Sequence, residues 1–163
     1  MRWTLLLIVT ACLQLLEASL LHFVQIGGRA PDLLLVLVAF VAANCVPFDA
    51  ALGGAAIGCV RDVFGAGRLG LSTLLFMVVA LIFSAFFKGV VKTRRLNNPL
   101  TQGAWVFAAS LFCYVLYLAY TGLCYAFEPE AALLLTAALV SLYNALIAPI
   151  VFLFLLRTRL TWR

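Results

Sequence analysis

The chain has 163 residues, of which 66% are hydrophobic and only 10% charged, with a formal net charge of +5 and a mean hydropathy of +1.17. Soluble domains carry about 25% charged residues, so this composition excludes an ordinary soluble enzyme and points to a polytopic membrane protein with almost nothing outside the bilayer. The cysteines Cys12, Cys45, Cys59, Cys113 and Cys124 lie in apolar runs without C-x-x-C spacing, which supports neither a disulfide framework nor a metal site.

A helix needs about 20 apolar residues to cross the hydrocarbon core. Six segments are predicted, at 3–24, 31–46, 50–64, 71–87, 102–127 and 131–156. The expected fold is therefore all-α, a single six-helix membrane domain whose third helix is short. The first segment begins like a signal peptide, but no A-x-A-like site follows and it reads as a retained helix. Gln14 and Glu17 lie three apart and share a face. A carboxylate inside such a segment is costly, so Glu17 is expected to face protein, with Arg61 or Arg29 as partner. His22, at the end of the run, reads as a polar tip among headgroups.

Gln25 to Arg29 reads as a loop, and Pro31-Asp32 as the start of the second helix. Proline suits a first helical turn, and aspartate offsets the positive end of the helix dipole. Pro47-Phe48-Asp49 is expected to form a short turn. The third segment, Ala50 to Phe64, has about 15 residues and reaches about 22 Å. Gly54 and Gly58 form a G-x-x-x-G pair that lets a neighbouring helix approach closely, and Asp62 continues that face. A buried Arg61-Asp62 needs polar partners, such as Glu17, Asn144 or a second protein. Gly65 to Gly70 is a loop, not a phosphate loop, since no Gly-Lys-Ser/Thr follows.

Ser72 or Thr73 is expected to cap the fourth helix with its hydroxyl. Lys88, Lys92, Arg94 and Arg95 then make the most basic loop, a candidate cytoplasmic surface for anionic lipid headgroups or for a protein. The fifth helix carries Tyr114, Tyr117 and Tyr120, expected in ordinary helix packing with a groove as the alternative. The sixth carries Asn144 and Pro149. Asn144 should hydrogen-bond another helix, and Pro149 should kink its own helix and free the carbonyl near Ala145. With six crossings and the N-terminus inside, Arg2, the 88–95 cluster, Arg157, Arg159 and Arg163 share one side, which the positive-inside rule makes the cytoplasm.

Four stretches occur in an order that resembles the bacterial rod shape-determining MreD family. They are Arg29-Ala30-Pro31-Asp32-Leu33-Leu34-Leu35, the Gly-rich third helix with Asp62, Leu69-Gly70-Leu71-Ser72-Thr73-Leu74-Leu75-Phe76, and Leu142-Tyr143-Asn144-Ala145-Leu146-Ile147-Ala148-Pro149, followed by a basic tail. The resemblance spans the chain. It implies a multi-pass protein of the bacterial inner membrane with both termini cytoplasmic, without enzymatic activity or cofactor. Its role would be that of a scaffold of the cell-elongation machinery that maintains rod shape and lateral peptidoglycan synthesis. The implied direct partner is MreC, within an assembly that includes MreB, RodA and a class B penicillin-binding protein. The family is similar in fold to the substrate-binding S components of energy-coupling-factor transporters.

The residues themselves offer no catalytic constellation. They do offer a candidate partner-binding or structural polar site: Glu17, Arg29, Pro31, Asp32, Gly54, Gly58, Arg61, Asp62, Asn144 and Pro149. The alternative function is a small-molecule or lipid-binding S-component-like transporter subunit. Against it, Ala11 and Ala18 lack the A-x-x-x-A spacing of that family's first helix, while an outward cleft at Arg29, Arg61 and Arg68 would suit an anionic headgroup. Self-association as a homodimer is left open, since small-residue stripes serve packing within and between chains equally well. Nothing points to nucleic acid.

Overall fold

The computed structural model describes residues 3–19, 31–65, 69–90, 98–125 and 131–157. Among these there are six helices and no strand: α1 (Trp3–Ser19), α2 (Leu33–Asn44), α3 (Pro47–Phe64), α4 (Leu71–Val90), α5 (Pro99–Tyr125) and α6 (Ala131–Arg157). Of these, α5 and α6 are long and apolar enough to cross a membrane, over Pro99–Leu123 and Leu133–Arg157.

The architecture follows from α2. Its sequence, Leu-Leu-Leu-Val-Leu-Val-Ala-Phe-Val-Ala-Ala-Asn, has no polar face, and a helix apolar all round belongs in an interior. Every residue from Leu33 to Ala42 is buried. The other five helices all pack against it. Two antiparallel hairpins, α3–α4 and α5–α6, and the single helix α1 form this wall, with α1 resting on α2 and α3. Phe40 of α2 meets Phe152 of α6 edge-to-face at 5.1 Å between centroids, a preferred arrangement for aromatic pairs.

The α3–α4 contact is the tightest, and glycine makes it so. A Cβ at Gly54 would lie 2.5 Å from the Phe76 carbonyl oxygen, and one at Gly58 would lie 2.5 Å from Thr73 Cα. The Gly54–Gly58 stripe is thus spent within the chain and is not a free surface for self-association. On the other hairpin, Pro149 lacks the N–H that would bond the Ala145 carbonyl. That carbonyl faces α5 at Gly103, where a Cβ would come within 3.1 Å of it.

Several boundaries differ from expectation. The short helix is α2, with 12 residues, whereas α3 has 18. The expected turn Pro47-Phe48-Asp49 is the first turn of α3, because Pro47 takes a position near the helix start where its missing N–H costs nothing. Pro31 lies outside α2, which begins after Asp32. Pro149 lies inside α6, as the expected span 131–156 already placed it. The tail of the expected first helix beyond Ser19, together with His22, Arg29, Arg68, Lys92, Arg94 and Arg95, lies outside the described residues. Lys88 falls within α4.

Candidate functional site

The polar residues gather at the N-terminal end of α2. Asp32 is its N-cap: one carboxylate oxygen accepts from the Leu35 N–H at 2.9 Å, satisfying one of the donors that a helix start leaves orphaned. The other oxygen pairs with the Arg61 guanidinium of α3. The Asp32 N–H in turn donates to Asn144 Oδ1 of α6 at 2.8 Å, and Asn144 Nδ2 donates to the Ser110 hydroxyl of α5 at 3.2 Å. One aspartate therefore ties α2 to α3 and α6, and through Asn144 to α5. Asp32, Ser110 and Asn144 are buried. The Arg61 side chain keeps 33% of its surface exposed and lies over the Phe76 ring at 5.3 Å, a cation–π distance.

Asp62 turns the other way. Its Oδ2 accepts from the Gly70 N–H (2.9 Å), the Thr73 N–H (3.0 Å) and the Thr73 hydroxyl (2.7 Å), and its Oδ1 accepts from the Ser72 N–H (3.2 Å). It caps the start of α4 from the neighbouring helix, with a negative charge at the positive end of the dipole. Gly70, at φ 93°, turns the chain into that cap in a backbone region that favours glycine.

The site corrects the sequence reading in three respects. Arg61 and Asp62 are not one clasp, since neighbours on a helix point about 100° apart and these two serve different partners. The expected hydroxyl cap of α4 is replaced by the Asp62 carboxylate, to which Thr73 donates. Arg61 pairs with Asp32 rather than Glu17, and Asn144 likewise bonds Asp32 and not Glu17. Glu17 lies within electrostatic reach of Asp32 and Arg61, yet its Oε2 is buried without a hydrogen-bond partner among the described residues. Gln14 Oε1, on the same face of α1, is in the same condition.

Beside these groups lies a cleft of about 640 Å³. Asp32, Arg61, Asp62 and Ser72 supply its polar wall, Leu71, Leu75 and Phe76 its apolar wall, and Tyr114, Tyr117 and Tyr120 line it from α5. The tyrosines thus take the groove alternative, Tyr114 while also packing against the core as expected. Their spacing of three along one helix was the visible signal for it. Ser110 had a weaker signal, a lone hydroxyl in an apolar run. At the opposite end of α2, the Ser84 hydroxyl donates to the Cys45 carbonyl at 2.8 Å.

Compared with protein-family models, curated proteins and solved structures, the chain matches none of them.

Proposed function

We propose that the chain is a six-crossing integral membrane protein of the bacterial inner membrane that acts as a non-enzymatic scaffold of the cell-elongation machinery, in the manner of MreD. In this reading it binds MreC and helps couple it to MreB, RodA and a class B penicillin-binding protein, with both termini in the cytoplasm. The observation that carries the reading is the convergence of the four stretches on which the resemblance rests. Asp32, Arg61-Asp62, Ser72-Thr73 and Asn144 come from different helices and meet at one end of the bundle. Four stretches that gather at one end of the bundle, in two neighbouring polar networks, fit a family pattern better than four coincidences would.

The membrane part has its own support. Only 22% and 33% of the spanning windows of α5 and α6 are buried, which supports a lipid-facing place for them over a place in a soluble core. Their outward residues include Leu123, Leu139, Leu146, Ile150 and Leu153, all exposed, and large exposed apolar patches mark membrane or protein contact. The test is made in the native host. Depletion should turn rod-shaped cells round, and the detergent-extracted chain should co-purify the host's MreC-like protein. Unchanged cell shape together with an empty pull-down would overturn the scaffold reading. The cleft favours a second reading, a lipid or small-molecule binding subunit of S-component type.

A further inference from the structure

The cleft has the shape and polarity of a lipid site. α4 and α5 touch through Phe83, whose ring lies 5.0 Å from that of Trp105 and 5.7 Å from that of Phe112. Nearer the start of α4, a cavity separates Leu71, Ser72 and Leu75 from Tyr117, Tyr120 and Thr121. The helices therefore part towards the end where Arg61 sits, leaving a notch with an apolar wall and a polar head.

The head has unspent hydrogen-bonding capacity. A guanidinium carries five N–H donors, and among the described residues the Arg61 side chain is hydrogen-bonded to Asp32 alone. The hydroxyls of Tyr114, Tyr117 and Tyr120 make no hydrogen bond among the described residues either, and all three residues line the cleft; the Ser72 hydroxyl is turned to Asp62. Asp62, with four donors on its two oxygens, is saturated. Asp32 accepts one bond on each oxygen and keeps a lone pair on each. Among the described lining residues there are one cation, Arg61, and two carboxylates, Asp32 and Asp62. The described lining therefore carries no positive excess that would select an anion; Arg29 and Arg68, which the expected anion site also used, lie outside the described residues.

We propose that this cleft binds one zwitterionic glycerophospholipid, its phosphodiester on the spare donors of Arg61 and the tyrosine hydroxyls, its ammonium towards Asp32 and the tyrosine rings, and an acyl chain along Leu71, Leu75 and Phe76. Aromatic faces attract an ammonium, and a guanidinium fork suits phosphate oxygens. A volume of about 640 Å³ holds the headgroup and the first part of a chain, within the range of about 300–1,000 Å³ usual for ligand sites. The site rests on the membrane reading above.

The test is native mass spectrometry of the full chain, extracted in mild detergent, delipidated and titrated with phosphatidylethanolamine or phosphatidylglycerol in about 150 mM salt, where surface charge effects are screened beyond about 8 Å. One phosphatidylethanolamine should be retained, in preference to phosphatidylglycerol. Leu75→Trp, which fills the notch and leaves the Asp32–Arg61 pair in place, should cut retention about tenfold or more. Tyr114→Phe, which removes one hydroxyl, should weaken it a few-fold. Should Leu75→Trp not fold, Tyr114→Phe and Tyr117→Ala decide the matter. No adduct on the wild-type chain, equal adducts on all variants, or stronger retention of phosphatidylglycerol would each overturn the site. A chain that needs no detergent would overturn the membrane reading and the lipid site with it. A detergent-requiring chain without adduct overturns the lipid site alone.

Discussion

Gly58→Ala is the sharpest probe of how α3 is held. The new methyl carbon would stand 2.5 Å from Thr73 Cα, 2.6 Å from the Ser72 carbonyl oxygen and 2.7 Å from Thr73 N. All three are backbone atoms, so no side chain can swing away. Reaching ordinary contact at 3.4 Å requires α4 to retreat by about 0.9 Å. Asp62 lies one turn further along the same face, and its bonds to Gly70, Ser72 and Thr73 span 2.7–3.2 Å. The same retreat would stretch them beyond about 3.5 Å, where a hydrogen bond is lost. Overpacking costs about 1–3 kcal/mol, and each bond to a charged acceptor contributes about 1.5–3 kcal/mol. With part of the cap surviving by local adjustment, the total is about 3 kcal/mol. For a chain of this size that lowers the melting temperature by roughly 6–12 °C. The assay is thermal unfolding in detergent, with Gly103→Ala as the control. A Cβ there meets one carbonyl oxygen at 3.1 Å, and the expected loss is about a third as large. If Gly58→Ala melts within 2 °C of wild type, or no lower than Gly103→Ala, the close backbone contact is not what holds this hairpin.

Further substitutions at Asp62, Asp32 and Asn144, with their partners, test the polar network. Asp62→Asn leaves one carbonyl oxygen where the structure uses two carboxylate oxygens, so amide exchange at Gly70, Ser72 and Thr73 should accelerate about tenfold or more, and unchanged protection there would remove Asp62 as the cap. Asp32→Asn keeps a competent N-cap but strips Arg61 of its counter-charge, at a cost of about 2 kcal/mol, reduced from the fully buried figure because a third of Arg61 is exposed. The charge reversal Asp32→Arg with Arg61→Asp should not restore the melting temperature, since arginine cannot accept from the Leu35 N–H; full rescue would mean that only the ion pair matters. Asn144→Leu leaves the Asp32 N–H without its acceptor and should cost about 2 kcal/mol, and adding Ser110→Ala should then cost less than about 0.5 kcal/mol; additive losses in that double-mutant cycle would deny the Asn144–Ser110 bond.

Composition and periodicity made the helices legible, because an apolar run can satisfy its backbone only internally. The Gly54–Gly58–Asp62 face was also legible, since spacing by four fixes one stripe whatever the partner. Partnership was not. The Arg61-Asp62 pair was expected near Arg29 to Asp32, with Glu17, Asn144 or a second protein as its partner, and the choice of Asp32 by Arg61 depends on how α2 sits against α3. Likewise, 50–64 and not 31–46 was singled out as the short helix. The helical part of 31–46 is shorter because Asp32 closes one end and the extended backbone at Cys45 closes the other. The sequence carries no spacing rule for a cap supplied by another helix, which is why Ser72 or Thr73 was expected where Asp62 acts.

The length of α2 explains most of the polar residues at once. Twelve residues rise only about 18 Å, so both helix ends finish inside the bundle and their backbone groups need partners there. Asp32 and Asn144 serve the start, and Ser84, donating to the Cys45 carbonyl, serves the end. Arg61 neutralises the cap that the start requires. These side chains are therefore accounted for by the fold, and their presence alone says little about binding. What the fold does not use among the described residues is narrower: the spare donors of Arg61, the tyrosine hydroxyls of α5, and the unpartnered oxygens of Gln14 and Glu17. Unspent polar capacity inside an apolar bundle costs free energy unless something outside the chain answers it. A search for the partner or ligand should therefore begin at the cleft between α4 and α5, with Arg61 at its head, and at the Gln14–Glu17 face of α1.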